Sequence, residues 1–244
     1  MIKANDNPNK GKKLAVLGSG PGGYPAAFLA ADMGFDVTLI DKEAKPGGVC
    51  LYRGCIPSKT LLHAAKLIHE TQEAKSWGLD FGEPKINVEQ LAKFSEKVIK
   101  KLTGGLGALA KQRKVKMVQG YGRFSDPKTI VVETDSGYET VGFDYAIIAT
   151  GSRPTQIPGF PYDSDRIMDS TDALKLADVP KKLLVIGGGY IGLELGSVYA
   201  ALGSKVDVVE AMGSLLPAAD QDLVEHLEKR LRKSVMNEIM VNTK

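Results

Sequence analysis

The stretch at residues 12–43, KKLAVLGSGPGGYPAAFLAADMGFDVTLIDKE, has a counterpart at 181–212, KKLLVIGGGYIGLELGSVYAALGSKVDVVEAM. Each copy opens with a short apolar run suited to a buried parallel strand, residues 14–17 in the first. Glycines then fall as G-x-G-x-x-G, at Gly18, Gly20 and Gly23 and again at Gly187, Gly189 and Gly192. A helical pattern follows, then a second strand closing on an acid: residues 37–40 and Asp41 in one copy, Glu210 in the other. First glycine and acid stand 23 positions apart in both. Each part has a task. The first glycine makes a tight turn, the second lets the backbone approach a pyrophosphate, and the third lets helix pack on strand. Amides at the helix N-terminus take the phosphates, and the acid takes a ribose hydroxyl. One such motif is a weak signal. Two, each between strand and helix and each with its acid, predict an α/β chain with two Rossmann-like dinucleotide-binding domains. Glu210 would repel a 2′-phosphate and no Arg or Lys follows it closely, so the second site is expected to prefer NAD over NADP.

The 244 residues allow one or two domains with a sizeable core. Apolar residues at 43% and charged residues at 25% are ordinary for a globular protein. The net charge of +3 is small and its basic residues are scattered, so nucleic acid is not implied as a partner. No apolar run reaches the roughly 18 residues a membrane helix requires. The opening MIKANDNPNKGKK has neither a secretory apolar core nor an organellar Arg/Ser pattern, which makes residues 1–11 a flexible tail and the protein cytoplasmic. Domains are expected over 12–153 and 154–244. Between the repeats the pattern reads as a long amphipathic helix over about 88–114, interrupted by glycines in TGGLGALA, then short β-type runs. The last of these, in FDYAIIATGSRP, reads as a buried strand over 146–149 ending in Thr150, Gly151 and Ser152. Pro154, Pro158 and Pro161 mark the connection.

Both cysteines lie in GGVCLYRGCIPSKT, residues 47–60. A metal site would need about four ligands, and His63, His69 and His226 form no matching cluster; none is expected. Inert thiols or a structural bridge remain open, though a bridge closing so short a loop would add little. A redox pair is favoured on local grounds. Pro57 suits a helix's first turn and SKTLLHAAKLIHE continues with helical periodicity, which places Cys55 near a positive helix end. Lys59, about one turn on, adds a cation. Gly47, Gly48 and Gly54 let the backbone lie close to a flat ligand.

From about Lys12 onward the chain resembles the N-terminal half of the lipoamide branch of the flavin disulfide reductase family. The resemblance rests on GSGPGGY, GGVCLYRGCIPSKTLLHAAK, ATGSRP, GGGYIGLELG and VVE. It implies FAD at the first repeat, among Gly18, Gly20, Pro21, Gly23, Asp41, Lys42, Gly48, Val49, Gly122, Thr150, Gly151 and Ser152. Asp41 stands where Glu is more usual and keeps the carboxylate. It implies NAD at the second repeat, among Gly187, Gly189, Tyr190, Ile191, Gly192 and Glu210. Tyr190 matches an aromatic gate over the nicotinamide pocket, with plain helix packing as the alternative. Cys50 would exchange with dihydrolipoamide, Cys55 would face the flavin as a charge-transfer thiolate, and Lys59 would pair with Glu194 near the reactive flavin nitrogen. NAD⁺ would be the final acceptor.

Partners implied are the lipoyl domain of a 2-oxoacid dehydrogenase or glycine cleavage complex and a second copy of the chain. The family's base is a histidine held by a glutamate in a C-terminal interface domain, and His63, His69 and His226 do not sit in that motif. The chain is therefore expected to be an N-terminal half with an incomplete second domain and no interface domain, weak in FAD retention and lipoamide turnover. A mercuric reductase would carry further cysteines. A thioredoxin reductase-like protein would carry C-x-x-C in its second nucleotide domain. A non-catalytic nucleotide-binding module is the reading from another class.

Overall fold

The computed structural model describes residues 7–244. The first copy of the repeat forms strand β1 (Lys13–Leu17), helix α1 (Tyr24–Asp32) and strand β2 (Asp36–Asp41). Helices α2 (Gly48–Arg53), α3 (Cys55–Ala74) and α4 (Val88–Gln112) follow, then strands β3 (Lys116–Gln119), β4 (Tyr121–Asp126), β5 (Thr129–Thr134), β6 (Gly137–Gly142) and β7 (Tyr145–Ile148). After helix α5 (Ser170–Leu174) the second copy gives β8 (Lys182–Ile186), α6 (Tyr190–Ala201) and β9 (Lys205–Val209), followed by α7 (Gln221–Ser234) and β10 (Glu238–Met240). The chain divides into two compact units, one of residues up to 55 with 97–153, the other of 56–96 with 154–244. Each holds one copy of the repeat.

In the first unit β3-β2-β1-β7 form a parallel sheet and β4-β5-β6 an antiparallel one. Alternation along the two central strands sorts their side chains between two layers. Leu14, Val16, Val37 and Leu39 pack with Ala27, Phe28 and Ala30 of α1 and with Ala110 of α4. Ala15, Ile40 and Val118 pack with Ile130, Val132 and Val141 of the antiparallel sheet. Strands covered on both faces must be apolar throughout, which is why 14–17 reads as an unbroken run. Each fully buried Val, Leu or Ile contributes roughly 1.5–3 kcal/mol.

Three expectations are corrected here. The strand ending in the ATGS segment is not buried: β7 pairs only with β1 among the described strands, and at this edge Ile148 is 68% exposed. The glycines do not interrupt α4, which runs unbroken to Gln112. Leu106 and Ala110 are held in the core of the first unit, which offsets the roughly 1 kcal/mol each glycine costs a helix. The helix ends two residues early because Lys114 takes a left-handed conformation, φ 57°. Of the expected tail, residues 1–6 lie outside the described residues. Residues 7–11 form turns, and the Asn7 and Asn9 side-chain amides donate to the Met33 carbonyl at 2.9 and 3.3 Å.

The second unit carries the parallel sheet β10-β9-β8, the same order as β3-β2-β1. Its core gathers Val206 and Val208 with Leu193, Val198 and Tyr199 of α6, Val224 and Leu231 of α7, and Leu215. Tyr199 donates its phenol to the Ala173 carbonyl at 3.0 Å. Leu61 of α3 is buried in this core, and Leu62, Val88, Leu91 and Ala92 pack against it. That packing is why 56–96 groups with the second repeat, where the sequence reading places it within 12–153. At the edge strand β8, Leu184 and Ile186 are exposed. No described helix is long and apolar enough to cross a membrane.

Candidate functional site

The three glycines of each fingerprint are required for three different reasons, and the reasons match between copies. Gly18 and Gly187 have φ of +101° and +104°, a region side chains rarely adopt. At the third position a Cβ would collide with the first glycine's own carbonyl oxygen, at 1.8 Å for Gly23 and 2.7 Å for Gly192. The second position differs in kind. A Cβ at Gly189 would meet no protein atom within 4 Å, and one at Gly20 only the Gly48 Cα at an ordinary 3.6 Å. Neither has a positive φ. Among the described residues nothing crowds the backbone at Gly20 or Gly189, which leaves it open to a close approach.

Both acids act alike. Asp41 accepts from the Ser19 amide at 2.6 Å and the Glu43 amide at 2.9 Å. Glu210 accepts from the Gly188 amide at 2.6 Å and the Met212 amide at 2.7 Å. Each carboxylate thus ties the glycine turn to the end of its own second strand, keeping lone pairs for a further donor. The helices that open these sites have no side-chain cap: α1 begins after Gly23 and α6 after Gly189. By contrast α5 is closed by an Asp169–Asp172 capping box. Uncapped first-turn amides are donors left for an anion, fewer of them in α1, where Tyr24 already donates to the Gly20 carbonyl at 3.0 Å and Pro25 has no N–H. Ser19, missed in the sequence reading, adds a buried hydroxyl with no hydrogen-bond partner among the described residues inside the first glycine turn.

The first unit brings further predicted residues to this turn. The Ala149 carbonyl would lie 2.0 Å from a Cβ on Gly18, with the Thr150 amide at 3.1 Å, so the ATGS segment abuts the fingerprint. Gly151 takes φ +73° just beyond. Gly47 donates to the Ser19 carbonyl at 2.9 Å, and a Cβ on Gly48 would stand 2.4 Å from the Gly20 Cα. Helix α2 starts at that contact and carries Val49, exposed, and Cys50, partly buried. Gly54 then folds back: a Cβ there would stand 2.9 Å from the Val49 oxygen and 3.2 Å from the Cys50 Cα. So Cys55, exposed at the start of α3, follows directly on a turn pressed against Cys50. That Cys50 has its own helix is not legible from GGVCLYRGC. Beside Asp41 lies a shallow cavity of about 370 Å³ lined by Lys42, Gln119, Gly120, Tyr121, Glu133, Thr134 and Asp135. Gly122 has a packing reason: Leu17, Ile40 and Ile130 fill the space of its missing side chain. Pro21 is exposed in the turn before α1.

In the second unit Lys59 of α3 pairs with Glu194 of α6, its Nζ at 2.7 and 2.8 Å from the two carboxylate oxygens. Lys59 lies one turn beyond Cys55 on the same helix. Tyr190 and Ile191 open α6, exposed by 66% and 45%. His63 and His226 are exposed and His69 half-buried. Among the described residues no group of three His, Cys, Asp or Glu could hold a metal ion.

Two glycine turns of one design, with a helix carrying Cys50 starting on the first, define a class that the family comparison names. Residues 12–244 match the model for pyridine nucleotide-disulphide oxidoreductases, and the chain belongs to that family. It is 51% identical over 232 residues to a dihydrolipoyl dehydrogenase of Vibrio cholerae, covering 95% of this chain and 48% of that protein. The match is to the N-terminal portion of such proteins. LpdA from Mycobacterium tuberculosis superposes with a TM-score of 0.85 at 27% identity, over 95% of this chain and 51% of that one. The flavoprotein disulfide reductase RclA from Escherichia coli gives 0.79 at 27%, over 95% and 49%. The chain spans about half the length of the curated relatives it matches.

Proposed function

We propose that the chain supplies the cofactor-holding and thiol-exchanging part of an enzyme that reoxidises dihydrolipoamide, with FAD at the first repeat and NAD⁺ at the second. The observation that carries this reading is the placement of the cysteine helix: α2 begins where Gly48 meets Gly20, so Cys50 springs from the same turn that would hold a dinucleotide pyrophosphate. The residues fit such groups. The second glycines leave room that no protein atom claims, the uncapped amides of α1 and α6 suit phosphate, and the two carboxylates suit ribose hydroxyls. The cavity beside Lys42 and Tyr121 would take the adenine end at the first repeat. When bound, the flavin would exchange electron pairs with thiols and the nicotinamide would accept hydride.

The chain's own residues do the rest. The incoming substrate thiolate attacks Cys50 of the Cys50–Cys55 disulfide and expels Cys55 as thiolate. The second substrate thiolate then attacks the substrate sulfur of the mixed disulfide, closing the substrate disulfide and releasing Cys50, which leaves the dithiol. Lys59, fixed in position by Glu194, holds a cation one turn from Cys55 that favours its thiolate. Tyr190 covers the nicotinamide side of the second pocket. The whole enzyme's partners would be a lipoyl domain and a second copy of the chain. The 244-residue chain is tested by its spectrum after reconstitution with FAD. Anaerobic addition of one dithionite equivalent should raise a long-wavelength band that Cys55→Ser removes and Cys50→Ser enhances. A chain that takes up no flavin, or takes it up with no band, overturns the reading.

A further inference from the structure

Helix α2, which carries Cys50, has only six residues, too few to hold itself in place. Two ties fasten its end to the loop that follows Asp41. The Arg53 guanidinium pairs with the Glu43 carboxylate, both side chains more than two-thirds buried. The Tyr52 phenol donates to the Lys45 carbonyl at 3.1 Å. Burial raises the Tyr52 phenol above its ordinary range, against the pull of the Thr103 hydroxyl nearby. The Lys45 stem lies over Gly107 of α4, at 3.8 Å from where a Cβ would stand, and the Gly47 side faces the Thr103 methyl and Leu51. Of the glycines of TGGLGALA only Gly107 meets this loop, at an ordinary contact distance.

Neither Arg53 nor Glu43 has a part in the exchange reaction itself. We propose that the Arg53–Glu43 pair is a positioning element for the thiols: it holds the last turn of α2 so that Cys50 stays presented to Cys55, favouring the disulfide over the dithiol. This rests on the redox reading of the two cysteines. A tie that acts through geometry must have one signature. Cutting it from either side has the same effect, whereas an electrostatic influence on the thiols would change sign between losing the cation and losing the anion.

The experiment equilibrates the purified chain with glutathione buffers of graded ratio at fixed pH. Alkylation and mass spectrometry then read the Cys50–Cys55 state. In the reaction followed, the protein dithiol and one glutathione disulfide give the protein disulfide and two glutathione thiols, so two electrons and two protons pass to glutathione. Glu43→Gln and Arg53→Met are each expected to lower that equilibrium constant about fivefold. The double variant should go no lower, since both remove one interaction, and the exchanged pair Glu43→Arg with Arg53→Glu should recover most of the loss. Arg53→Lys, which keeps charge and most of the packing but loses the planar fork, should fall part-way and serves where a single variant does not fold. Shifts of opposite sign in the two single variants, or constants unchanged from wild type, overturn the proposal while leaving the redox reading intact. A wild-type dithiol that no glutathione ratio oxidises overturns that reading, and the proposal with it.

Discussion

The two repeats are copies in backbone and differ in what closes over them. Each has a turn glycine with positive φ, a packing glycine pressed on the first glycine's carbonyl and a carboxylate accepting two amides. Around the first turn the chain itself closes in, with Gly47 bonded to the Ser19 carbonyl, Gly48 against Gly20 and Ala149 against Gly18. Around the second, Leu216 donates to the Gly188 carbonyl at 3.1 Å, as Gly47 does to that of Ser19, and Leu215 lies under Gly188, but among the described residues nothing abuts Gly187 or Gly189. One design thus serves a turn with backbone pressed on its first and second glycines and a turn with those two positions open. The lesson is that the fingerprint specifies how a dinucleotide is met, while the chain brought in from elsewhere decides how tightly the turn is held.

The largest expected effect tests the packing glycines. Gly23→Ala forces a carbon to 1.8 Å from a carbonyl oxygen, and should cost about 3 kcal/mol or more in urea unfolding. Gly192→Ala, with 2.7 Å to relieve, should cost about half that. Equal losses would mean that the two turns are equally rigid and would dissolve the contrast.

Next come the acids. Asp41→Asn and Glu210→Gln each weaken two amide bonds to a charged acceptor, and about 1.5–2 kcal/mol should be lost in both cases. A larger loss at Asp41 would show that the enclosed turn also depends on its acid more heavily.

The second glycines separate binding from folding. Gly189→Ala meets no protein atom, so its unfolding midpoint should move by less than about 0.5 kcal/mol. NADH affinity by fluorescence titration should nevertheless fall about tenfold, which is about 1.4 kcal/mol. Affinity unchanged in this variant would remove the argument that the glycine answers to a ligand.

The smallest effect concerns alkaline pH. Burial, aided by Asp178, raises the Tyr199 phenol above its ordinary range. An acid whose folded pKa is raised adds stability below its unfolded pKa and loses it as pH climbs beyond, here above pH about 10. The second unit should weaken over that range, and Tyr199→Phe should flatten the slope while costing about 1 kcal/mol at neutral pH through the lost bond to Ala173. Tyr52, raised by lesser burial, should give the first unit a shallower slope.

Sequence alone was enough for both β-α-β repeats, their glycines and their acids, and for the helix that starts at the second cysteine. These features obey local rules: a turn needs positive φ, an amphipathic or unbroken apolar run announces its own period, and a strand must end where its acid can reach back. It was also enough to pair Lys59 with Glu194, though only through resemblance, since 135 positions separate them. Tertiary structure alone decided the helix under Cys50, the exposure of Ile148 and the unbroken course of α4 across its glycines. It also decided the passage of 56–96 into the second repeat's core and the tie from Arg53 to Glu43. The reason is common to all of these: they depend on which distant surface arrives to cover a residue, and no window of sequence carries that partner within it.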